Sequence, residues 1–248
     1  MMITGILTKM LTENGSPIQY YLNFNGEAVA VNQLLGEKIR IRFNHYQCVE
    51  CGRNKEIFAM GHCKNCYFTS PLTGQWIIRP ELSTAQLGKA DRDLETETLI
   101  QLQPHIVYLA NSGGIKVGVT RKSQVLTRWI DQGAEYAIQL AETENRYEAG
   151  LIEVALKQQM SDKTNYRKML KENTSFHDLI AKKNEMMDFV PKEIYRYNLE
   201  NTQVFHLDYP VHKYPSKINA VKLEKNPEFE DILTGIKGQY LMFDNDMV

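Results

Sequence analysis

No apolar run in this sequence approaches the roughly 18 residues needed to span a bilayer. The opening MMITGILTKM has neither a positively charged stretch nor an apolar one ahead of a small-residue cleavage site. These absences lead to the expectation of a cytoplasmic chain with no membrane partner. Neither sign of charge dominates: 29 Lys and Arg face 30 Asp and Glu, a net of −1. A protein that coats duplex is usually basic, so any nucleic-acid surface here has to be a local patch balanced by acid elsewhere. Eight prolines and fifteen glycines in 248 residues, with 43% hydrophobic and 24% charged content, exclude collagen-like, low-complexity and wholly disordered architectures. At about 150 residues per domain the length suits one large domain or two small ones, with enough chain to bury a core.

Cysteine is absent from all but one window. Cys48, Cys51, Cys63 and Cys66 fall within nineteen residues as CVEC, eleven residues, then CKNC. Two C-x-x-C knuckles offer four soft thiolates at the spacing of a tetrahedral zinc site, and Gly52 and Gly61 flank them where a tight turn wants no Cβ. Two disulfides conflict with the cytoplasmic expectation, a redox pair does not explain why there are two, and an iron–sulfur cluster is the remaining alternative. Structural zinc is the preferred reading, with His45 and His62 as solvated loop residues. Four thiolates close such a site, which makes it a staple and not a Lewis acid.

Residues 1–47 read as an N-terminal β region, with strands over 5–11, 17–26 and 36–43 and a turn at Glu13-Asn14-Gly15. In the last strand Ile39, Ile41 and Phe43 alternate with Lys38, Arg40 and Arg42. The basic face is either plainly solvated or a phosphate-facing strip beside the ribbon, which spans 48–70 and carries Arg53, Lys55 and Lys64. Residues 71–104 give mixed signals, a loop and then a short helix. From 105 to 199 the pattern sharpens: a short apolar strand IVYLA over 106–110, a turn at Asn111-Ser112-Gly113-Gly114, and a returning strand IKVGVT. A helix over 124–132 follows, capped by Ser123 and stopped by Gly133, then a strand over 134–143. Asn145 caps a helix over 146–160, and further helices are expected over 165–173 and 176–187, the last with Ser175 and Asp178 as a weak capping box. A C-terminal β region, 200–248, reads as strands over 202–210, 217–224 and 232–243. A turn at Asp244-Asn245-Asp246 with only two residues beyond it suggests a chain that stops before a closing strand.

The stretch from Ile106 to Asn165 resembles the GIY-YIG nuclease superfamily, in layout the incision domain of bacterial nucleotide-excision repair. It covers about a quarter of the chain. Ile106-Val107-Tyr108 matches the Gly-Ile-Tyr strand without its glycine, and Lys116-Val117-Gly118 matches the Tyr-Ile-Gly strand without its tyrosine. Arg128 falls where that family places an arginine, EAGLIE ends at the family's glutamate position in Glu153, and Asn165 follows twelve residues later. A longer span, from the knuckles through RPELS, VYLA, KVGVTR, RWIDQGA and SDKTN to GIKGQYL, is similar to a family of uncharacterised bacterial and archaeal proteins, which brings no agreed activity.

The resemblance implies an α+β fold: a three-stranded antiparallel GIY-YIG-like sheet with packed helices. The zinc ribbon precedes it, and the strand-rich ends are expected to pair into one small barrel. It also implies phosphodiester hydrolysis. Glu153 would hold a magnesium or manganese ion, Arg128 would neutralise transition-state charge, and Tyr108 would act as general base or relay. Lys116 replaces the second tyrosine and can bind phosphate or depress a phenol's pKa, but cannot copy its hydrogen bond. Arg121, Lys122 and Asn165 are candidate nucleic-acid contacts. Plainer alternatives stand beside these: Arg128 paired with Asp131, Glu153 paired with Lys157, Tyr108 and Trp129 as core anchors. A helical projection puts Glu148 near the middle of the apolar arc set by Leu151, Ile152, Val154, Ala155 and Leu156, and Glu153 off its edge. Glu148 therefore either meets Arg128 or Arg121 inside, or is itself the site carboxylate. The leading expectation is a metal-dependent nuclease acting on DNA or RNA. A catalytically degenerate nucleic-acid binder comes second, and a factor whose protein partner docks on the ribbon third.

Overall fold

A computed structural model describes residues 2–24, 27–160, 162–171 and 178–248. Its N-terminal strands β1 (Leu11–Glu13), β2 (Gln19–Phe24) and β3 (Glu27–Ala30) form one antiparallel sheet, with β3 an element that the sequence pattern did not indicate. Strand β4 (Lys38–Arg42) leaves them. The ribbon contributes the short helix α1 (Lys64–Thr69). Residues 71–87 form a series of tight 3-10 turns, and α2 (Leu94–Gln101) follows. Asp93 caps α2 by accepting from the Thr96 amide at 2.8 Å.

The central sheet contains β5 (His105–Asn111), β6 (Ile115–Arg121), β7 (Tyr136–Thr143) and β8 (Val204–His206), in the order β6-β5-β7-β8. It therefore has four strands and not three: a short piece of the expected 202–210 strand adds to the far edge. Strand β5 is buried along its whole length because both faces are covered. Ile106, Tyr108 and Ala110 face a core shared with the N- and C-terminal sheets and with Trp129 and Ile130 of α3 (Val125–Asp131). Val107 and Leu109 face a second core made with Ala149, Ile152 and Leu156 of α4 (Arg146–Lys157).

Helix α3 starts after a 3-10 turn over Lys122–Gln124, so Gln124 and not Ser123 is its cap residue, and no side chain caps it. The Lys122 amide is spent on the Pro104 carbonyl at 2.8 Å, which prolongs the β5–β6 pairing and delays the helix. Asn145 caps α4 as its sequence indicates, accepting from the Glu148 amide at 3.0 Å. Of the expected 165–173 helix the described residues form one turn, α5 (Tyr166–Met169), and α6 spans Leu179–Met187 with Asp178 as its cap, residues 172–177 lying outside the described ones. Ser175 lies outside the described residues.

At the C-terminus β9 (Glu228–Lys237) hairpins into β10 (Tyr240–Phe243), and β4 pairs along the other side of β9, Lys38 opposite Ile232 and Arg42 opposite Glu228. The two ends of the chain thus do meet in one sheet, yet β1–β3 remain a separate sheet and no closed barrel forms among the described residues. Residues 217–224 form no strand. Asn219 makes a single bridge to Met247, so the last residues are paired. The basic face of β4 is answered across the sheet: Lys38 meets Glu230 at 2.5 Å, and Arg40 and Arg42 meet Glu228 at 2.6 and 3.7 Å. It is an ion-pair ladder and not a free phosphate strip. No helix among the described residues is long and apolar enough to cross a membrane.

Candidate functional site

Backbone folding of the ribbon brings its four sulfurs together. The ligand atoms of Cys48, Cys51, Cys63 and Cys66 all lie within 4.8 Å of one another, and all four thiols are free. Sulfurs about 2.3 Å from a common zinc stand roughly 3.8 Å apart in a tetrahedron, so the donor set fits such an ion. Gly52 and Gly61 take φ of +64° and +76°, the left-handed turns that the knuckle spacing indicated. The Cys63 amide points at the Cys48 sulfur at 3.2 Å, and the Cys51 and Glu50 amides add to it. Hydrogen bonds led by the Cys51 amide, working against burial, bring the Cys48 thiol down to about 6. Burial pushes that of Cys66 up to about 12. His45 is exposed as expected, but His62 is not a solvated loop residue: it is buried, with Nδ1 2.6 Å from the Met60 carbonyl.

A second cluster forms around β6, the edge strand of the central sheet. Tyr108 of β5 stands directly opposite Gly118 of β6 and is 1% exposed, its ring edge-on to Trp129. A Cβ at position 118 would sit 2.5 Å from the Tyr108 hydroxyl and 2.7 Å from Cζ, so the ring fills the space that glycine vacates. The hydroxyl donates to Gln132 Oε1 at 3.2 Å. Burial raises the phenol pKa, opposed by the Arg128 guanidinium beside it. Lys116, two residues before Gly118 on the same face, is buried and bonds Thr164 Oγ1. Burial, helped by the positive field of Arg128, brings its pKa down to about 8, while Asp162 and Glu153 pull the other way.

Glu153 reaches the same cluster from α4. It is 7% exposed, and burial raises its pKa against the opposing fields of Lys157 and Arg146. Lys157 Nζ lies 3.2 Å from Glu153 Oε2 and 3.3 Å from Asp162, an ion pair that leaves Oε2 without a hydrogen bond of good geometry. Arg146, Gly150, Glu153 and Lys157 share one stripe of the helix, i, i+4, i+7 and i+11. Gly150 on that stripe meets the Pro80–Leu82 turn, and Arg146 donates to the Trp76 and Ile77 carbonyls at 3.0 and 2.7 Å. The helix therefore buries two faces, one on the sheet and one on the 76–82 segment. This is why Glu153 is inside while Val154, assigned to the apolar arc, is exposed.

Glu148 meets neither Arg128 nor Arg121. Its two oxygens accept from Asn145 Nδ2 at 3.0 Å and the Tyr197 hydroxyl at 2.8 Å, with Arg196 at 3.9 Å. The structure also separates Arg128 from Asp131, which instead takes Lys9 and the Gln239 amide. Lys122 is paired with Glu142 at 2.7 Å, and Arg121 donates to Gln124 at 3.1 Å. Asn165 Oδ1 accepts the Arg167 and Lys168 amides at 3.1 and 3.3 Å as the cap of α5. Arg128 and Glu153 thus each act electrostatically on Tyr108 and on Lys116, whereas Arg121, Lys122 and Asn165 are engaged locally.

The pairing of Glu153 with Lys157 was read from the sequence and is found; Gln132, Arg146, Asp162 and Thr164 in this cluster were missed. The Glu153–Lys157 spacing was visible, but nothing in the pattern tells that the pair is buried against a turn seventy residues upstream. The family model described as "Protein of unknown function (DUF2797)" matches residues 36–248 of the chain. No curated protein and no solved structure gives a significant match.

Proposed function

The chain belongs to the DUF2797 family, and we propose that it is a metal-dependent phosphodiesterase of nucleic acid with a GIY-YIG-like site built on Tyr108, Lys116, Arg128 and Glu153. The observation that carries this reading is Glu153, a buried carboxylate in the fields of Arg146 and Lys157, whose Oε2 is met by the Lys157 ammonium at 3.2 Å without a well-formed hydrogen bond. A carboxylate taken out of water costs several kcal/mol unless a charge answers it. Glu153 would hold a magnesium-like ion, with Asp162 beside it through their shared Lys157. When bound, that ion supplies Lewis-acid polarisation of the scissile phosphate. Arg128, and Lys116 while protonated below about pH 8, would bind the phosphate oxygens. Tyr108, kept protonated by burial, orients a water and does not deprotonate it. In the ribbon the four thiolates would hold a structural zinc.

One observation favours the second reading, a nucleic-acid binder without turnover: the Lys157 ammonium already occupies both carboxylates. Electron paramagnetic resonance of added manganese separates the two. The hydrolase reading expects a bound manganese that Glu153→Gln abolishes. Absence of any bound manganese would leave only the binder. Elemental analysis of the same preparation should find zinc, and its absence would contradict the structural-zinc reading.

A further inference from the structure

The ribbon carries what the buried cluster lacks, exposed aromatic rings. Phe58 stands on the hairpin before Cys63 and Phe68 in α1, and they are 53% and 58% exposed. Their ring centroids are 5.6 Å apart, and both rings lean on Tyr67, at 5.1 and 5.3 Å. The supports are rigid: the Phe58 amide bonds the His62 carbonyl at 2.8 Å, and α1 starts at the cysteine knuckle. Phenylalanine has no polar tip to justify half its ring in water, so paired rings of this kind are a surface waiting to be covered.

The chemistry around the rings indicates what covers them. They border an open groove that Lys55, Glu56, Lys64 and Asn65 also line. Lys55 and Lys64 are exposed and make no ion pair among the described residues, in contrast to Lys38, Arg40 and Arg42, each matched by a carboxylate of β9. Ammonium groups without an ion pair beside half-exposed aromatic rings suit a nucleic-acid strand: bases stack on the rings while the lysines follow the phosphates. A duplex offers no unstacked base to such a face.

We infer that the Phe58–Phe68 face of the ribbon, with Lys55 and Lys64, is a stacking platform for single-stranded nucleic acid. This rests on the reading that the chain acts on nucleic acid and names the strand form it holds. The test is fluorescence anisotropy of short labelled single-stranded DNA and RNA with the zinc-loaded full chain, without magnesium. The panel compares Phe58→Ala, Phe68→Ala, the Lys55→Gln/Lys64→Gln pair and Arg128→Ala, each checked for zinc content and melting temperature.

Each alanine should weaken single-strand binding about tenfold, since stacking contributes ~1–3 kcal/mol per base, and duplex binding should not change. The lysine pair should flatten the salt dependence by roughly 1.4 in log–log slope, from ~0.7 per single-strand phosphate contact. Single-strand binding that survives both phenylalanine substitutions but fails in Arg128→Ala would overturn the platform and leave the core site standing. No binding to any oligonucleotide would overturn both. Self-association abolished by the two alanines, without oligonucleotide binding, would assign the face to a protein partner and overturn the inference.

Discussion

His105 opens β5 with no solvent exposure, its Nδ1 2.7 Å from the Gln103 carbonyl and its Nε2 buried without a hydrogen-bond partner. Burial, abetted by Arg146 and Arg121, brings its pKa from 6.5 down to about 4 despite that bond. Such a depressed folded value contributes stability that is full above pH 6.5 and is lost as pH falls through 4, because the unfolded chain takes the proton first. The expected loss is about 3 kcal/mol, at ~1.4 kcal/mol per pKa unit. Urea denaturation across pH 4–7 should show wild type losing that much more than His105→Leu; parallel profiles would contradict the assignment. The residues that sequence could read in this region were those whose role is local. Asn145 announced a helix cap and the C-x-x-C pairs announced converging sulfurs, and both are found. His105 reads as one more polar residue before an apolar run, because only the packed sheet removes its water.

Elements were harder to read wherever two of them meet. The amphipathic projection of α4 assumed a single buried face, which favoured Glu148 as the inside carboxylate. The helix in fact has two buried faces, and the second, bearing Arg146, Gly150 and Glu153, rests on the 76–82 segment that sequence left as a connector. Gly150 is where they touch: a Cβ there would come 2.5 Å from the Pro80 carbonyl carbon and overlap the Glu81 amide, both backbone atoms. On an exposed helix Gly→Ala gains about 1 kcal/mol. Here Gly150→Ala should instead destabilise by about 1–3 kcal/mol, the usual cost of overpacking, and should perturb Glu153 one turn away. A urea midpoint that rises in the variant would show that the helix and the turn are not in contact. The β4 strand teaches the same lesson in charge: its basic alternation was plain, but the acidic partners lie almost two hundred residues downstream on β9.

At the scale of the whole molecule, buried and half-buried polar side chains tie the ribbon to the core through the 71–101 segment. Arg92 donates to the Tyr67 carbonyl at 3.0 Å and to Thr73 at 2.7 Å, while the fully buried Glu97 accepts the Asp91, Arg92 and Asp93 amides at 2.7–3.1 Å. Arg146 then carries the same segment onto α4. Ribbon and core are thereby linked through one segment, which under the proposed function would let a strand held at the ribbon be acted on at the core cluster. That coupling has no signature in the sequence, because its bonds run from side chains to backbone carbonyls of residues with no pattern of their own. The central proposal is that the core cluster cleaves phosphodiesters through Glu153. Its most direct measurement is incubation of the zinc-loaded protein with labelled single-stranded, duplex, flap and structured DNA and RNA in magnesium or manganese, beside Glu153→Gln. Cleavage in the wild type that disappears in the variant is the predicted result; cleavage that persists in Glu153→Gln, or retention of substrate without cleavage under either ion, would contradict it.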